Sequence, residues 1–510
     1  MILSVQSKEV VKNSPKEFFV TKYGAIPDGV TLNTLAIQKA IDAAFKSKGG
    51  RVVFSKGNFL SGSIQLKSNV TLYFEEGAVL LGSTNPGDYA NMDFHGRPIS
   101  PKNDDNSQMA LILAHKANNI ALMGKGTIDG QGLQLALHID SLHHAGVAVD
   151  PKYSLRRNRP NETMRPKLFR FSQCDTVVVE GLKLGEASCW GLSFELCSNL
   201  TLDKLTIVNR SYWNNDGIDI TDCKKVKIVN CDINAADDGI CLKSYYPGYY
   251  NDTVYIANCS IRSSASAIKF GTASFGGFKN VTIKDIQVYD TFRSAIAIES
   301  VDGAFIENID VSNIQAVNTG NAIFIRLGQR SGDKPGSIKN VSIKNIKVQV
   351  PFGRPDSNYD LRGPEVDFFH NPFPSSIVGV EGYRIENVVL ENIEINYPGR
   401  ASKGMAYIPL SRLNQVPEAA QDYPEFSMFG ELPAYGFYVR HVNGISMKNI
   451  KLTLDDSDFR PAFVFDDVQN LKIETIDLPK EKQKQLIFKE VTSSTLDDQL
   501  IDQKVEIQTK

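Results

Sequence analysis

Apolar and polar residues alternate along most of this chain, in short bursts that return at a near-constant interval. The clearest burst is an asparagine, a branched apolar residue, any residue, then Ile or Leu. It stands at Asn69-Val70-Thr71-Leu72, Asn119-Ile120-Ala121-Leu122, Asn199-Leu200-Thr201-Leu202 and Asn280-Val281-Thr282-Ile283. It returns at Asn340-Val341-Ser342-Ile343, Asn387-Val388-Val389-Leu390 and Asn470-Leu471-Lys472-Ile473. Period-two alternation with β-branched side chains predicts strands. Between Val177 and Ile306 the interval is about 23–28 residues, the length of one solenoid turn. A helical crossover between parallel strands would need roughly ten further residues per repeat. The pattern therefore predicts an all-β fold, a right-handed parallel β-helix. The asparagines fit turns between strands, with side chains bonding the next coil.

Departures from the rhythm set the boundaries. Residues 1–15 predict a poorly ordered lead-in, 16–480 a single β-helix, and 481–510 a C-terminal tail. Phe18 to Gly24 reads as a short strand. Asn33 predicts the cap of a helix from Thr34 to Lys46, with apolar residues at Leu35, Ile37, Ile41 and Ala44 and a stop at Gly49-Gly50. A short N-terminal helix of this kind would cover the open end of a solenoid. The rhythm breaks near 132–166, around His138, His143, His144 and Arg156-Arg157-Asn158-Arg159, and again near 353–437. One ordinary coil, Tyr383 to Ile395, lies inside the second break. Solenoid insertions gather as loops and shape clefts.

A second phrase runs through successive coils: Trp190-Gly191-Leu192-Ser193-Phe194, Asp216-Gly217-Ile218-Asp219-Ile220 and Asp238-Gly239-Ile240-Cys241-Leu242. Ser266-Ala267-Ile268-Lys269-Phe270, Ser294-Ala295-Ile296-Ala297-Ile298 and Asn321-Ala322-Ile323-Phe324-Ile325 continue it. Strand alternation points the third and fifth positions inward and the first and fourth outward. The result is an expected exposed column of Trp190, Asp216, Asp238, Ser266, Ser294 and Asn321. Beside it run Ser193, Asp219, Cys241, Lys269, Ala297 and Phe324, and one position on come Lys243, Gly271, Glu299 and Arg326.

Asp216 and Asp238 would then sit on neighbouring strands, roughly 4.8 Å apart, with Asp237 beside them. A lone Asp-Gly is usually a turn. Three clustered carboxylates repel one another, which raises the proton affinity of the last to ionise and creates an acid and a base side by side. Asp216, Asp237 and Asp238 are the expected catalytic residues. Trp190, Asn214, Lys243, Ser266, Lys269, Glu299 and Arg326 are the expected substrate-binding residues. Trp190 suits stacking on a sugar ring, and Lys243, Lys269 and Arg326 suit a substrate carboxylate or sulfate. The bland readings are neutralisation of the aspartates by the lysines and a cross-strand ion pair between Glu299 and Arg326. His370 and His441 read as structural.

Composition narrows the function. At 510 residues the chain is long for one compact core, and a solenoid escapes that limit by adding a slice of core per coil. A net charge of -2 leaves no basic field for nucleic acid or a membrane surface. No apolar run approaches the roughly 20 residues of a membrane span, and no Gly-rich phosphate loop precedes a helix. The seven cysteines show no zinc spacing. Cys174, Cys197 and Cys223, then Cys231 and Cys259, recur near the solenoid period, as a buried column would; a disulfide between coils is the alternative. Met1-Ile-Leu-Ser-Val is too short for a signal peptide, which implies either a cytoplasmic protein or a signal already removed. Neither metal nor cofactor is predicted.

At these residues the chain resembles glycoside hydrolase family 28, the polygalacturonases and rhamnogalacturonan hydrolases, over roughly 18–475. Gly126-Thr127-Ile128-Asp129-Gly130-Gln131-Gly132 looks like the family's opening phrase, and Arg165-Pro166 precedes the first regular coils. Asn214-Asn215-Asp216-Gly217 is similar to the family's Asn-Thr-Asp-Gly, and Asp237-Asp238 to its Asp-Asp pair. The resemblance implies inverting hydrolysis, with Asp237 as general acid and Asp216 and Asp238 holding the water. It also implies an acidic polysaccharide or oligosaccharide substrate, no nucleic acid or membrane partner, a monomer, and a periplasmic or secreted location. Where the polygalacturonases have Gly-His-Gly this chain has Ala265-Ser266-Ala267, and where they have Arg-Ile-Lys it has Ala297-Ile298-Glu299. Loss of the histidine is similar to the rhamnogalacturonan hydrolases. The segments Tyr423-Pro424-Glu425 to Tyr438-Val439-Arg440-His441 look like those of bacterial members. With the 132–166 insertion they imply a walled groove and exo action.

Two other readings compete. In a β-helix lyase or epimerase, Lys243 or Lys269 would abstract the proton beside a uronate carboxylate while the aspartates hold calcium. A non-catalytic glycan-binding solenoid would bind oligosaccharide and release no reducing ends.

Overall fold

The structure, a computed structural model, describes residues 15–503 apart from 93, 102–106, 156–157, 357–372, 402–409 and 481–484. Each regular coil supplies three strands. One coil runs Leu192–Glu195, Ser198–Asp203 and Thr206–Asn209, and the next runs Ile218–Thr221, Lys224–Val229 and Asp232–Ala235. Each strand pairs in parallel with its counterpart one coil on: Leu192 with Ile218, Leu200 with Val226 and Ile207 with Ile233. The chain is a right-handed parallel β-helix with three sheets along its length. Inward positions such as Ile218, Ile220, Ile240 and Leu242 are wholly buried and stack into one continuous core.

The asparagine phrase marks a corner. Asn69, Asn119, Asn199, Asn280, Asn340, Asn387 and Asn470 all have φ between 52° and 63°. Asparagine tolerates this left-handed conformation better than other side-chain-bearing residues. Their amides bond between coils, Asn119 Nδ2 to Asn69 Oδ1 at 3.1 Å and Asn387 Nδ2 to Asn340 Oδ1 at 3.2 Å. All seven cysteines are free and buried. The thiols of Cys174 and Cys223 donate to the carbonyls of Ser172 and Thr221.

The N-terminal helix, α1 (Thr34–Lys46), covers the first coils with Ile37, Ala40, Ile41 and Ala44. Two details differ from expectation. Leu35 faces solvent, because the buried stripe lies on the other side of the helix. Asn33 makes no side-chain cap; its Oδ1 accepts instead from the Ile26 amide at 2.7 Å. The expected strand over 18–24 is a strand only at Glu17–Phe19, and Val20–Tyr23 turns as a 3-10 helix.

The 132–166 insertion is more than a loop. It opens with α2 (Gly132–His144), which buries Leu135, Ala136 and Ile139. Its histidines serve structure: His138 Nδ1 lies 2.9 Å from the Thr84 carbonyl, and His143 Nδ1 accepts the Asp150 amide. Beyond 480, where a tail was expected, Leu486–Leu496 adds another parallel strand and Gln499–Gln503 folds back antiparallel on it. That return pairs the last edge. The lead-in at 1–14, Arg156, Arg157 and His370 lie outside the described residues. None of the described helices is long and apolar enough to cross a membrane.

Candidate active site

The Asp-Gly-Ile phrases begin strands of one sheet, in the register the sequence predicts. Ser193, Asp219, Cys241, Lys269, Ala297 and Phe324 stack coil upon coil. The glycine is a packing requirement. A Cβ on Gly217 would lie 2.5 Å from the Gly239 carbonyl, and one on Gly239 2.5 Å from Ile261 Cγ2. Close stacking there brings the carboxylates of Asp216 and Asp238 together. The preceding turn is held by Asn215, which accepts from the Tyr212 amide and donates to the Ala187 and Cys189 carbonyls.

The first-position column was expected to be exposed, and it is not. Trp190, Asp216, Asp238, Ser266, Ser294 and Asn321 are all at most 5% accessible, because loops and the second insertion cover the sheet. Tyr245, Tyr246 and Ala273 pack on Trp190. The ammonium groups of Lys167 and Lys243 lie 4.1 and 4.3 Å from its ring centre. Ser294 Oγ donates to Asn321 Oδ1, and Asn321 donates to the Pro374 carbonyl. Asp237 is the most exposed of the three aspartates.

The charges divide sharply. Lys243 Nζ lies 2.8 Å from Asp216 and 2.7 Å from Asp219. Lys269 Nζ lies 3.3 Å from Asp238 and donates to Tyr423 Oη at 3.3 Å. Burial, then the neighbouring Asp238 charge, pushes the Asp237 carboxyl up. Asp238 meets the same burial penalty, but Lys269, Lys243, Arg293 and the Ser266 amide outweigh it and hold its carboxyl below the usual range. Burial, then Asp219, raises the Asp216 carboxyl well up against the pull of Lys243. Asp237 is thus tuned up and Asp238 down, the opposite directions that an acid and a base require.

Four expected contacts take other places. Arg326 is wholly buried and donates to the carbonyls of Gly379 and Glu418 at 2.9 and 2.6 Å. It anchors the second insertion, and its register partner Glu299 forms no ion pair with it among the described contacts. Glu299 is buried with Oε2 unbonded, and burial pushes its carboxyl up to about 7 against the pull of Lys269. Asn214, at φ 58°, accepts from Arg165 Nη2 at 2.9 Å. Ser266 meets Asp238 through its amide, not its hydroxyl.

The sequence reading missed Arg293, Tyr423 and Glu425 as site residues. Arg293 directly precedes the Ser294 phrase, Glu425 holds it at 3.4 Å, and its charge acts on Asp237 and Asp238. Tyr423 is half exposed over Lys269. Both insertion residues reach the site across more than a hundred positions of sequence, which no local pattern reports. His441 is confirmed in a structural place, between Asp467 at 2.6 Å and Glu418 at 3.1 Å.

One donor set of metal-binding type occurs among the described residues: Asp216, Asp238 and Cys241, with atoms within 4.8 Å of one another. It suits calcium badly, because calcium takes oxygen ligands and the third donor is a thiol. The Lys243 ammonium already supplies positive charge there, 3.3 Å from that sulfur.

A parallel β-helix with clustered, oppositely tuned carboxylates is the class of a polysaccharide-active enzyme. Residues 51–358 match the model of glycosyl hydrolases family 28, and the chain belongs to that family. It is 43% identical over 441 residues to an exo-poly-alpha-D-galacturonosidase of Dickeya chrysanthemi, covering 74% of this chain and 71% of that one. It is 24% identical to a probable polygalacturonase of Vitis vinifera, over 73% and 68% of the two chains. The fold is similar to a family 28 exopolygalacturonase of Yersinia enterocolitica, with TM-score 0.63, 19% identity, and coverage of 89% and 78%. A Thermotoga maritima exopolygalacturonase gives TM-score 0.58, 21% identity, and coverage of 75% and 88%.

Proposed function

We propose that this family 28 glycosidase hydrolyses α-linked, galacturonic-acid-containing pectic chains from a chain end, with Asp237 as general acid and Asp216 and Asp238 directing the water. The observation that carries the roles is the opposite tuning of the adjacent Asp237 and Asp238. Asp237 is also the most accessible of the three, as a group that must reach the leaving oxygen should be. Protonation of that oxygen while water attacks from the other side inverts the anomeric centre. Arg293, partly exposed beside Asp237, supplies a cation for an acidic sugar.

Exo action is argued from the packed side chains on the N-terminal side of the aspartates. There Arg97, Arg170 and Tyr246 converge on the buried Glu195, next to the covered Trp190. The match to a bacterial exo-poly-alpha-D-galacturonosidase agrees. The chain acts as a monomer, outside the cytoplasm where its polymer is found. Galacturonan and rhamnogalacturonan are the two backbones to separate.

Product analysis tests this. Wild type and Asp237→Asn are incubated with polygalacturonate, rhamnogalacturonan and their oligosaccharides. Saturated monomer or dimer from chain ends is expected, falling about 10²–10⁴-fold in the variant. Unsaturated products absorbing in the ultraviolet, or chelator sensitivity, would replace the hydrolytic reading with the lyase one.

A further inference from the structure

We propose that Lys243 and Asp219 form a positioning pair that fixes the Asp216 carboxylate, and that Lys243 does not contact substrate. This rests on the reading above that Asp216 directs the water. Lys243 sits on the outward side of its strand, one coil past Asp216, and its side chain lies back across the stack. An ammonium has three N–H donors. Here Asp216 Oδ2 at 2.8 Å and Cys241 Sγ at 3.3 Å accept two of them, and the Asp219 carboxylate lies against the ammonium as an ion partner at 2.7 Å. The Trp190 ring closes a further side at 4.3 Å. The ammonium is thus enclosed on the stack, and Lys243 is buried.

Asp219 gives the arrangement its purpose. It is wholly buried, neither oxygen has a hydrogen bond by ordinary criteria, and Lys243 is its ion partner. Removing one partner of a buried ion pair leaves the other charge uncompensated, and the Asp219 charge also acts on Lys167. Asp219 therefore tethers Lys243, and Lys243 holds Asp216 at a fixed point in the groove. Because one ammonium serves two carboxylates, its pull on Asp216 is divided. The groups facing Lys243 are Asp216, Asp219, Cys241 and Tyr245, with Asp237, Asp238 and Lys269 around the carboxylates and Lys167 on the same indole.

Two substitutions then act in opposite directions. Lys243→Met removes the cation and raises the Asp216 carboxyl, so the acidic limb of the kcat/KM profile moves up by about one pH unit or more. Asp219→Asn gives the whole ammonium to Asp216 and moves that limb down. In both, kcat carries the change and KM for trigalacturonate stays within about twofold. Lys243→Arg, which keeps the charge, restores most of the limb. Titration of the Asp216 carboxyl by NMR in wild type and both variants reads the same shifts whether or not the enzyme turns over that trimer. A KM increase with unmoved limbs, or carboxyl titrations that do not part in opposite directions, overturns the pair. An inactive wild type with parted titrations would overturn the pectic reading and leave the pair standing.

Discussion

Lys269→Met is the sharpest test of how the site keeps Asp238 ionised. Lys269 and Asp238 are both buried, with Nζ 3.3 Å from the carboxylate. At an effective dielectric of 20, two unit charges at that distance attract by about 5 kcal/mol. Removing one partner of a buried pair costs about 3–5 kcal/mol, because the other charge is left uncompensated. A chain of 510 residues unfolding as one unit carries about 1 kcal/mol per kelvin of unfolding entropy. The melting temperature at pH 7 should therefore fall by about 3–5 °C. The sign with pH follows from the carboxylate. In wild type Asp238 titrates below its ordinary 3.8, so the pair stabilises above that pH and its contribution is lost as the pH falls through the lower folded value. In the variant the carboxyl rises and protonates sooner, so the penalty is largest at neutral pH and shrinks towards pH 4. Calorimetry at the two pH values reads this directly. Adding Asp238→Asn to the variant should recover most of the loss. An equal loss at both pH values, or no recovery in the double variant, would refute the electrostatic account and leave only lost packing.

Two further outcomes are expected. His441 is raised above its ordinary 6.5, since the hydrogen bonds and charges of Glu418 and Asp467 outweigh burial and Arg440. Its stabilisation is full below that value and lost as pH rises through the higher folded one, so wild type should lose its thermal advantage over His441→Gln as the pH is raised above its ordinary 6.5. Asn392 has φ 56°, donates its Nδ2 to Asn345 Oδ1 and accepts at Oδ1 from Asn449 Nδ2, both hydrogen bonds at 2.8 Å. Asn392→Ala should cost about 2–3 kcal/mol in denaturant unfolding, and Asn392→Gly should recover about 1–2 kcal/mol of it by relieving the backbone.

The chain's repeat determined a great deal by itself. The asparagine interval fixed the coil length, alternation fixed which residues point inward, and the Asp-Gly-Ile phrases fixed the register that stacks Asp219, Cys241 and Lys269. These are local regularities, and a solenoid turns each local period directly into a spatial neighbour. The three aspartates were legible for the same reason. What each charged side chain does was decided only by tertiary structure. Strand alternation says that Lys243 and Arg326 leave the core, but not that Lys243 folds back onto Asp216 and Asp219 or that Arg326 binds the carbonyls of the insertion. Alternation predicts an exposed Trp190, whereas Tyr245 and Tyr246 cover it. Arg293, Tyr423 and Glu425 meet near the carboxylates because an aperiodic part of the second insertion folds back onto the sheet. Periodic sequence sets position along and around the helix; contacts made by aperiodic segments depend on where a long loop closes, and that is settled by packing of the whole chain.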